Sequence, residues 1–274
     1  MRVDSSAKRL LFSTVRVDTV LDDGSGGSGT AFVLRHPTRR GAVDFVVTNR
    51  HLVEGVRDGA LVFTQARRGV PLLGQRFELR IEQFPAAWYL HPDASVDLAL
   101  VPLAPLREAA ASQGVELYVE AIDSRLAPDA PAWDGLDALE EVLFVGYPNG
   151  VWDQVNLMPI LRRGSTATPA ALDFEGRRQF LVDAAVYPGS SGSPVFIERG
   201  ERRVTRRDGA RDLLFAGVIS AVFFREETRQ VLPLPVPASH REPGVGTEMI
   251  DLGLVLKSDL VLQLLESYLQ RWRG

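Results

Sequence analysis

The chain has 274 residues, of which 45% are hydrophobic and 24% charged, enough to bury a sizeable core in one large domain or two small ones. Its formal net charge of -4 at pH 7 and its scattered arginine pairs exclude a broad basic surface for nucleic acid. The lack of cysteine excludes disulfides and cysteine-based metal sites.

The N-terminal residues carry no recognisable targeting segment. Their apolar run from Leu10 to Phe12 is shorter than the core of about 7–15 residues that a signal peptide needs. The longest apolar run, residues 213–224, is too short to span a bilayer. Together with the lack of cysteine, these features predict a cytoplasmic protein without a membrane partner.

Short β-type runs separated by turn residues recur along most of the chain. Many short strands with few helices predict an all-β barrel or sandwich. The glycine-rich segment 24–29 precedes a strand and not a helix, so we interpret it as a flexible hairpin and not as a phosphate-binding loop. The predicted strands are residues 13–20, 30–34, 43–48, 60–64, 77–83, 98–103, 142–147, 180–185, 194–197, 213–221 and 253–255.

Two stretches depart from this β pattern. Residues 105–140 are rich in Ala, Pro, Asp and Glu, which predicts a linker with a helical turn or two between two groups of strands. From Asp259 onward apolar residues recur at helical spacing, and Ser258 can cap the start. This pattern predicts an amphipathic C-terminal helix that docks on its own domain.

Residues 184–196, AAVYPGSSGSPVF, have the composition of a nucleophile loop that enters a buried strand. Ser191 is the candidate nucleophile, and Gly189 and Gly192 stand where a backbone must turn tightly. A serine hydroxyl needs a base and oxyanion donors, so this hypothesis requires partners elsewhere. A Gly/Ser-rich hairpin turn remains the alternative for this segment alone.

The sequence offers four histidines as candidates for the base. His51 follows the strand-like run DFVVTN, and a strand end is a good platform for a positioned base. His36 and His91 lie in turn-forming segments, and His240 lies in a proline-rich segment, which surface loops explain. His51 is therefore the preferred base.

A carboxylate must orient the imidazole of such a base. Asp97 is the best candidate because it begins an apolar strand, where a carboxylate has little reason to stand without a partner. Asp93 is a rival, but it lies in a turn where aspartate is common. Asp44 is too near His51 along one extended segment to fold back easily.

Three motifs together resemble the trypsin/chymotrypsin-like serine peptidases, and more closely their bacterial HtrA-like branch. They are VVTNRHLV around His51, VDLALVPL around Asp97 and PGSSGSPVF around Ser191. The order His, Asp, Ser differs from that of subtilisins and α/β-hydrolases. The resemblance implies two six-stranded antiparallel β-barrels with the active site between them. It implies an N-terminal barrel at 9–104, an interbarrel linker at 105–140, a C-terminal barrel at 141–256 and a C-terminal helix at 257–274.

The resemblance also implies a serine endopeptidase that acts through an acyl-enzyme and needs no metal or organic cofactor. Catalysis would fall to His51, Asp97 and Ser191, and the backbone N–H groups of Gly189 and Ser191 would form the oxyanion hole. Alignment on Ser191 places Ala185 and Val186 at the base of the primary specificity pocket. Because neither is charged, we expect cleavage after small or medium apolar residues.

Two residues depart from the family pattern, and one segment is unusually long. Ser190 stands where secreted members carry an aspartate, which argues against activation by a new N-terminal ammonium and leaves control to loop ordering, substrate supply or a regulatory protein partner. Ser193 stands where glycine is commoner in the family, and because serine is also small, we expect little effect on function. The segment 225–249 is unusually long for a connection inside a barrel, and we interpret it as a lid, a docking loop or a disordered insertion.

No PDZ domain follows the peptidase within these residues, which favours limited proteolysis of an intracellular protein. Two rival functions remain open at this point. A catalytically silent peptide- or protein-binding module would share the fold, although none of the three residues is missing. An esterase-like acyl hydrolase is disfavoured because Pro194 and a strand, and not a helix, follow the nucleophile.

Overall fold

The computed structural model describes residues 1–148, 152–199, 212–226, 231–235 and 247–272. Within these ranges the chain forms two β-sheets and four α-helices. The helices are α1 (Ser6–Leu10), α2 (Leu103–Ser112), α3 (Ala130–Asp134) and α4 (Ser258–Arg271). None of them is long and apolar enough to cross a lipid bilayer.

The first sheet has nine strands in the order β5-β4-β1-β2-β3-β7-β6, with β8 paired to β4 and β9 to β2. Within residues 1–148 no pairing joins its edges β5 and β6, so the sheet is open. The expected six-stranded N-terminal barrel is therefore wrong in this detail, because the two-residue edge strand β6 offers too few backbone groups for closure. The strands are β1 (Thr14–Leu21), β2 (Gly26–Thr38), β3 (Gly41–Thr48), β4 (Val56–Arg67), β5 (Val70–Ile81), β6 (Tyr89–Leu90), β7 (Ala99–Pro102), β8 (Glu116–Tyr118) and β9 (Ile122–Asp123).

The second sheet closes into the expected six-stranded barrel. Its strands run β13-β10-β11-β12-β16-β14, and pairing of β13 with β14 closes the ring, while β15 pairs with β14 outside it. The strands are β10 (Glu141–Gly146), β11 (Ile160–Thr166), β12 (Gln179–Asp183), β13 (Pro194–Arg199), β14 (Asp212–Glu226), β15 (Val231–Pro235) and β16 (Thr247–Lys257). All pairings in this sheet are antiparallel.

The alternation of apolar and polar side chains along a segment explains why it forms a strand with one buried face. In β1 the side chains of Val15 and Val17 are buried, while Arg16 and Asp18, which alternate with them, form an ion pair on the opposite face. Phe32 of the first sheet and Phe215 of the second have ring centroids 5.5 Å apart. One apolar cluster therefore joins the two sheets where they meet.

The C-terminal helix packs against the apolar cluster at this junction. Leu260, Val261, Leu264 and Leu265 of α4 are buried in the cluster that contains residues of both sheets. The amphipathic C-terminal helix is thus confirmed, but the expectation that Ser258 caps it is wrong. Ser258 is the first helical residue, and its hydroxyl has no hydrogen-bond partner among the described residues.

A buried lysine ends β16 immediately before this helix. Lys257 is 1% exposed, and its Nζ donates to Asp173 Oδ1 at 2.7 Å and to the Ala171 carbonyl at 3.2 Å. The ammonium also lies 5.2 Å from the ring centroid of Trp133. A buried charge is tolerated only with such partners. The Lys257 side chain therefore connects the loop before β12 to the start of α4.

Each predicted strand overlaps an observed one, whereas β6, β8, β9, β11 and β15 were not predicted. The segment 105–140 contains most of α2, and its strands β8 and β9 pair with the first sheet. The domain boundaries remain a prediction. Of the long segment 225–249, residues 227–230 and 236–246 lie outside the described residues, as does His240.

Candidate active site

The register between β3 and β7 brings His51 and Asp97 together. Thr48 at the end of β3 pairs with Ala99 at the start of β7. His51 lies in the 3-10 turn Arg50–Leu52 that follows β3, and Asp97 lies two residues before the first residue of β7. Because antiparallel partners reverse direction, the segment after β3 and the segment before β7 share one sheet end.

The Asp97 carboxylate holds His51 with both oxygens. Asp97 Oδ2 lies 2.7 Å from His51 Nδ1, and Asp97 Oδ1 accepts the His51 backbone N–H at 2.9 Å. The side-chain amide of Asn49 donates to the Asp97 carbonyl at 2.9 Å. A proton on Nδ1 donates to the carboxylate in this geometry, which leaves Nε2 of the neutral ring as the acceptor.

Ser191 enters the site from the second sheet. It lies in the connection between β12 and β13, and its Oγ is 3.1 Å from His51 Nε2. The residue is 1% exposed. The structure therefore brings together the three side chains singled out from the sequence, in a continuous chain of hydrogen bonds from Asp97 through His51 to Ser191.

A tight turn precedes the serine. The Ser190 N–H donates to the Tyr187 carbonyl at 2.9 Å, and Gly189 has a φ of 87°. With Pro188 before this glycine, the turn is of type II, which favours glycine at its third position. Within the described residues, the N–H groups of Gly189 and Ser191 donate to no other protein atom, so both are available to a ligand.

Gly192 lies at the contact between the two sheets. Its φ is 81°, and a Cβ at this position would lie 1.8 Å from the backbone oxygen of Thr30 in β2. Its N–H donates to the Ile219 carbonyl at 2.9 Å. Only glycine combines this backbone conformation with such a close approach.

The sequence belongs to a known family. It matches the family described as "Trypsin-like peptidase domain" over residues 29–204, which is more than half of the chain. The chain is a member of the trypsin-like peptidase domain family.

Solved structures agree with this membership at the level of fold. "HtrA-type protease AlgW with tripeptide" superposes with a TM-score of 0.52 at 15% identity, covering 97% of this chain and 62% of that one. A variant of the same protease with a decapeptide gives a TM-score of 0.50 at 14% identity, covering 96% and 65%. This chain thus spans less than two thirds of these proteases. No curated protein matches its sequence.

The trypsin-like peptidase domain also contains a site residue that the sequence did not reveal. Ser220 in β14 donates from Oγ to Asp97 Oδ2 at 2.6 Å, so the second sheet helps to hold a carboxylate of the first. In the sequence Ser220 is part of a predicted strand. The available signal was a single hydroxyl inside the otherwise apolar run 213–224.

The rival candidates have other partners. Asp93 is an exposed turn residue that accepts the Ser95 N–H at 2.8 Å, and Asp44 pairs with Arg35. His36 lies 3.0 Å from the Ser124 hydroxyl. His91 is buried, and its Nδ1 accepts the Asp93 N–H at 3.1 Å. Burial lowers the pKa of both histidines.

The residues assigned to the specificity pocket differ in exposure. Ala185 is half-buried, whereas Val186 is fully buried. The backbone of Gly253 in β16 faces Val186, because a Cβ on Gly253 would lie 2.7 Å from Val186 Cγ2. These three residues place only apolar groups in this region.

Proposed function

We propose that this trypsin-like peptidase domain is a serine endopeptidase that cleaves peptide bonds through an acyl-enzyme. The observation that carries the proposal is the hydrogen-bond chain with 2.7 Å between Asp97 and His51 and 3.1 Å between His51 and Ser191. Both distances are within the range for proton transfer and orientation without any rearrangement.

In the proposed reaction, His51 Nε2 takes the proton from Ser191 Oγ as this oxygen attacks the substrate carbonyl. Asp97 keeps the other proton on Nδ1 and stabilises the imidazolium that forms. Ser220 donates to the same carboxylate oxygen and so supports its orientation. His51 then passes its proton to the leaving amine, and water hydrolyses the acyl-enzyme by the reverse sequence.

The tetrahedral intermediate carries its negative charge on the former carbonyl oxygen. We assign the N–H groups of Gly189 and Ser191 as its donors. Among the described residues these two N–H groups donate to no protein acceptor, and this observation and the type II turn at Gly189 support the assignment. Fixed donors of this kind stabilise the developing charge more than water does because they need no reorientation.

For specificity, we propose cleavage after small or medium apolar residues. The apolar groups of Ala185, Val186 and Gly253 support this, since a basic side chain would lose part of its hydration against them. A library of peptides that differ only at the residue before the cleaved bond tests the proposal. Strong selection for Lys or Arg would contradict it.

We further propose limited proteolysis of a cytoplasmic protein, under the control of a regulatory partner. Lack of cysteine and Ser190 at the position before the nucleophile support these assignments. The AlgW structures contain peptides, which supports a protein or peptide as substrate here. We expect neither nucleic acid nor a membrane as a partner.

Labelling with a fluorophosphonate tests the central proposal. We expect one adduct on Ser191, located by peptide mass mapping, which disappears in His51→Ala. A matched control is His36→Ala, which removes a histidine that contacts Ser124 and has no bond to Ser191. Absence of any adduct on the folded wild-type protein would favour the catalytically silent binding module.

A further inference from the structure

Thr30 in β2 contacts the Ser191 loop with both its backbone and its side chain. The Thr30 N–H donates to the Ser191 carbonyl at 2.9 Å, and the Thr30 hydroxyl donates to the Gly189 carbonyl at 2.9 Å. Thr30 is completely buried. It therefore binds the carbonyl groups of both residues whose N–H groups we assign as oxyanion donors.

The hydroxyl of Thr30 has a second partner. It accepts the backbone N–H of Tyr147, which follows β10, at 3.0 Å. One side-chain oxygen thus joins a strand of the first sheet, the end of β10 and the Ser191 loop. Since these groups are buried, removal of the oxygen leaves an amide N–H and a carbonyl without their partner.

The same residue is linked to the His51 side of the site. The Thr48 hydroxyl, at the end of β3, donates to the Thr30 carbonyl at 2.7 Å. Thr48 stands three positions before His51, and it is also fully buried. A short path of hydrogen bonds therefore runs from the strand that presents the base to the loop that presents the nucleophile.

The peptide unit between Gly189 and Ser190 is the group that this arrangement immobilises. Its N–H belongs to Ser190 and donates to the Tyr187 carbonyl, whereas its C=O belongs to Gly189 and accepts from Thr30. Rotation of the unit would break both bonds. Because the unit lies between the two oxyanion donors, its orientation sets their relative direction.

We propose that Thr30 is a positioning residue whose hydroxyl fixes the Gly189–Ser190 peptide unit, and with it the spacing of the two oxyanion donors. This inference rests on the proposed peptidase function and deepens it. Thr30 acts through the Ser191 loop and does not itself contact the substrate. A threonine is needed, and not a valine of the same shape, because only its oxygen can serve both backbone groups.

The test compares Thr30→Val, which keeps the shape and removes the oxygen, with Thr30→Ser, which keeps the oxygen. We expect Thr30→Val to react with a fluorophosphonate at Ser191 at least about 10-fold more slowly than the wild type, since small misplacements of reacting groups are costly. Thr30→Ser should stay within about 3-fold of the wild type, since its oxygen can make both bonds. With a peptide substrate, Thr30→Val should lower kcat and leave KM nearly unchanged.

The possible results distinguish failure of the inference about Thr30 from failure of the proposed peptidase function. A labelled wild type with Thr30→Val reacting at the same rate overturns the inference and leaves the peptidase standing. An unlabelled wild type overturns the proposed function, and the inference with it. If urea titration shows that Thr30→Val is unfolded, Thr30→Ala takes its place beside Thr30→Ser, and wild-type reactivity of Thr30→Ala then overturns the inference.

Discussion

The hydroxyl of Ser220 donates to Asp97 Oδ2 over 2.6 Å, and the same oxygen lies 2.7 Å from His51 Nδ1. One carboxylate oxygen therefore joins a side chain of the closed barrel to the imidazole held by the open sheet. Because a hydrogen bond to a charged group is stronger than one between neutral groups, this contact helps to fix the two sheets relative to each other at the site.

Removal of this hydroxyl should slow the reaction without abolishing it. In Ser220→Ala the Asp97 carboxylate keeps its bonds to His51 but loses one donor, so we expect kcat/KM to fall by roughly 3- to 30-fold. Steady-state hydrolysis of a peptide ester measures this. Ser112→Ala removes an exposed hydroxyl on α2 and should have no effect. A Ser220→Ala variant with wild-type kcat/KM would show that the contact is dispensable.

The two candidate carboxylates should respond very differently to amidation. Asp97→Asn retains the size of the side chain but favours the wrong imidazole tautomer, and we expect kcat to fall by about 10⁴-fold. Asp93→Asn keeps a turn-capping side chain in an exposed loop and should leave kcat unchanged. Comparable losses in both variants would contradict the assignment of Asp97.

Gly24 and Gly192 have the same φ of 81°. Alanine substitutions at the two positions therefore distinguish the energetic cost of backbone strain from that of steric collision. Gly24 has no atom within 4 Å of its Cβ position, so Gly24→Ala should lower the free energy of unfolding by only about 1 kcal/mol. Gly192→Ala adds a collision with the Thr30 oxygen, and we expect a loss above about 3 kcal/mol. Urea titration monitored by tryptophan fluorescence measures both. Equal losses would show that the Thr30 contact can relax.

His91 should make the protein less stable in mild acid. Burial lowers the pKa of His91 in the folded state, so the unfolded chain binds this proton more tightly. Its effect on the free energy of unfolding is absent above the unfolded pKa of about 6.5 and becomes increasingly unfavourable as the pH falls below it. In His91→Asn, which keeps an acceptor for the Asp93 N–H, the decline between pH 7 and pH 5 should be smaller. Urea titrations at both pH values decide this, and equal declines would contradict it.

The site residues that the sequence revealed are those with distinctive neighbours along the chain. His51 follows a strand, Asp97 precedes one, and Ser191 stands between glycines. Thr30 and Ser220 lie inside strands, where a hydroxyl looks like any other strand position. Their importance arises only when two sheets pack together, and local sequence patterns do not contain that information.

The strands, like the site residues, were predictable only where the local sequence has a distinctive pattern. Long alternating strands such as β1 were found from their own residues, whereas β6 and β9 have two residues each and no pattern to detect. The strand β11, with the sequence ILRRGST, lacks a clear alternation of apolar and polar residues. Closure of the first sheet depends on how far its edge strands extend, which the family resemblance does not determine.

The buried ammonium of Lys257 makes acylation by amine-reactive reagents selective. The sequence contains two lysines, and the other, Lys8, is a surface residue of α1. In the native state an acylating reagent therefore meets Lys8, while Lys257 reacts only after its contacts with the loop before β12 have opened. The rate at which Lys257 becomes modified therefore reports how often these contacts open.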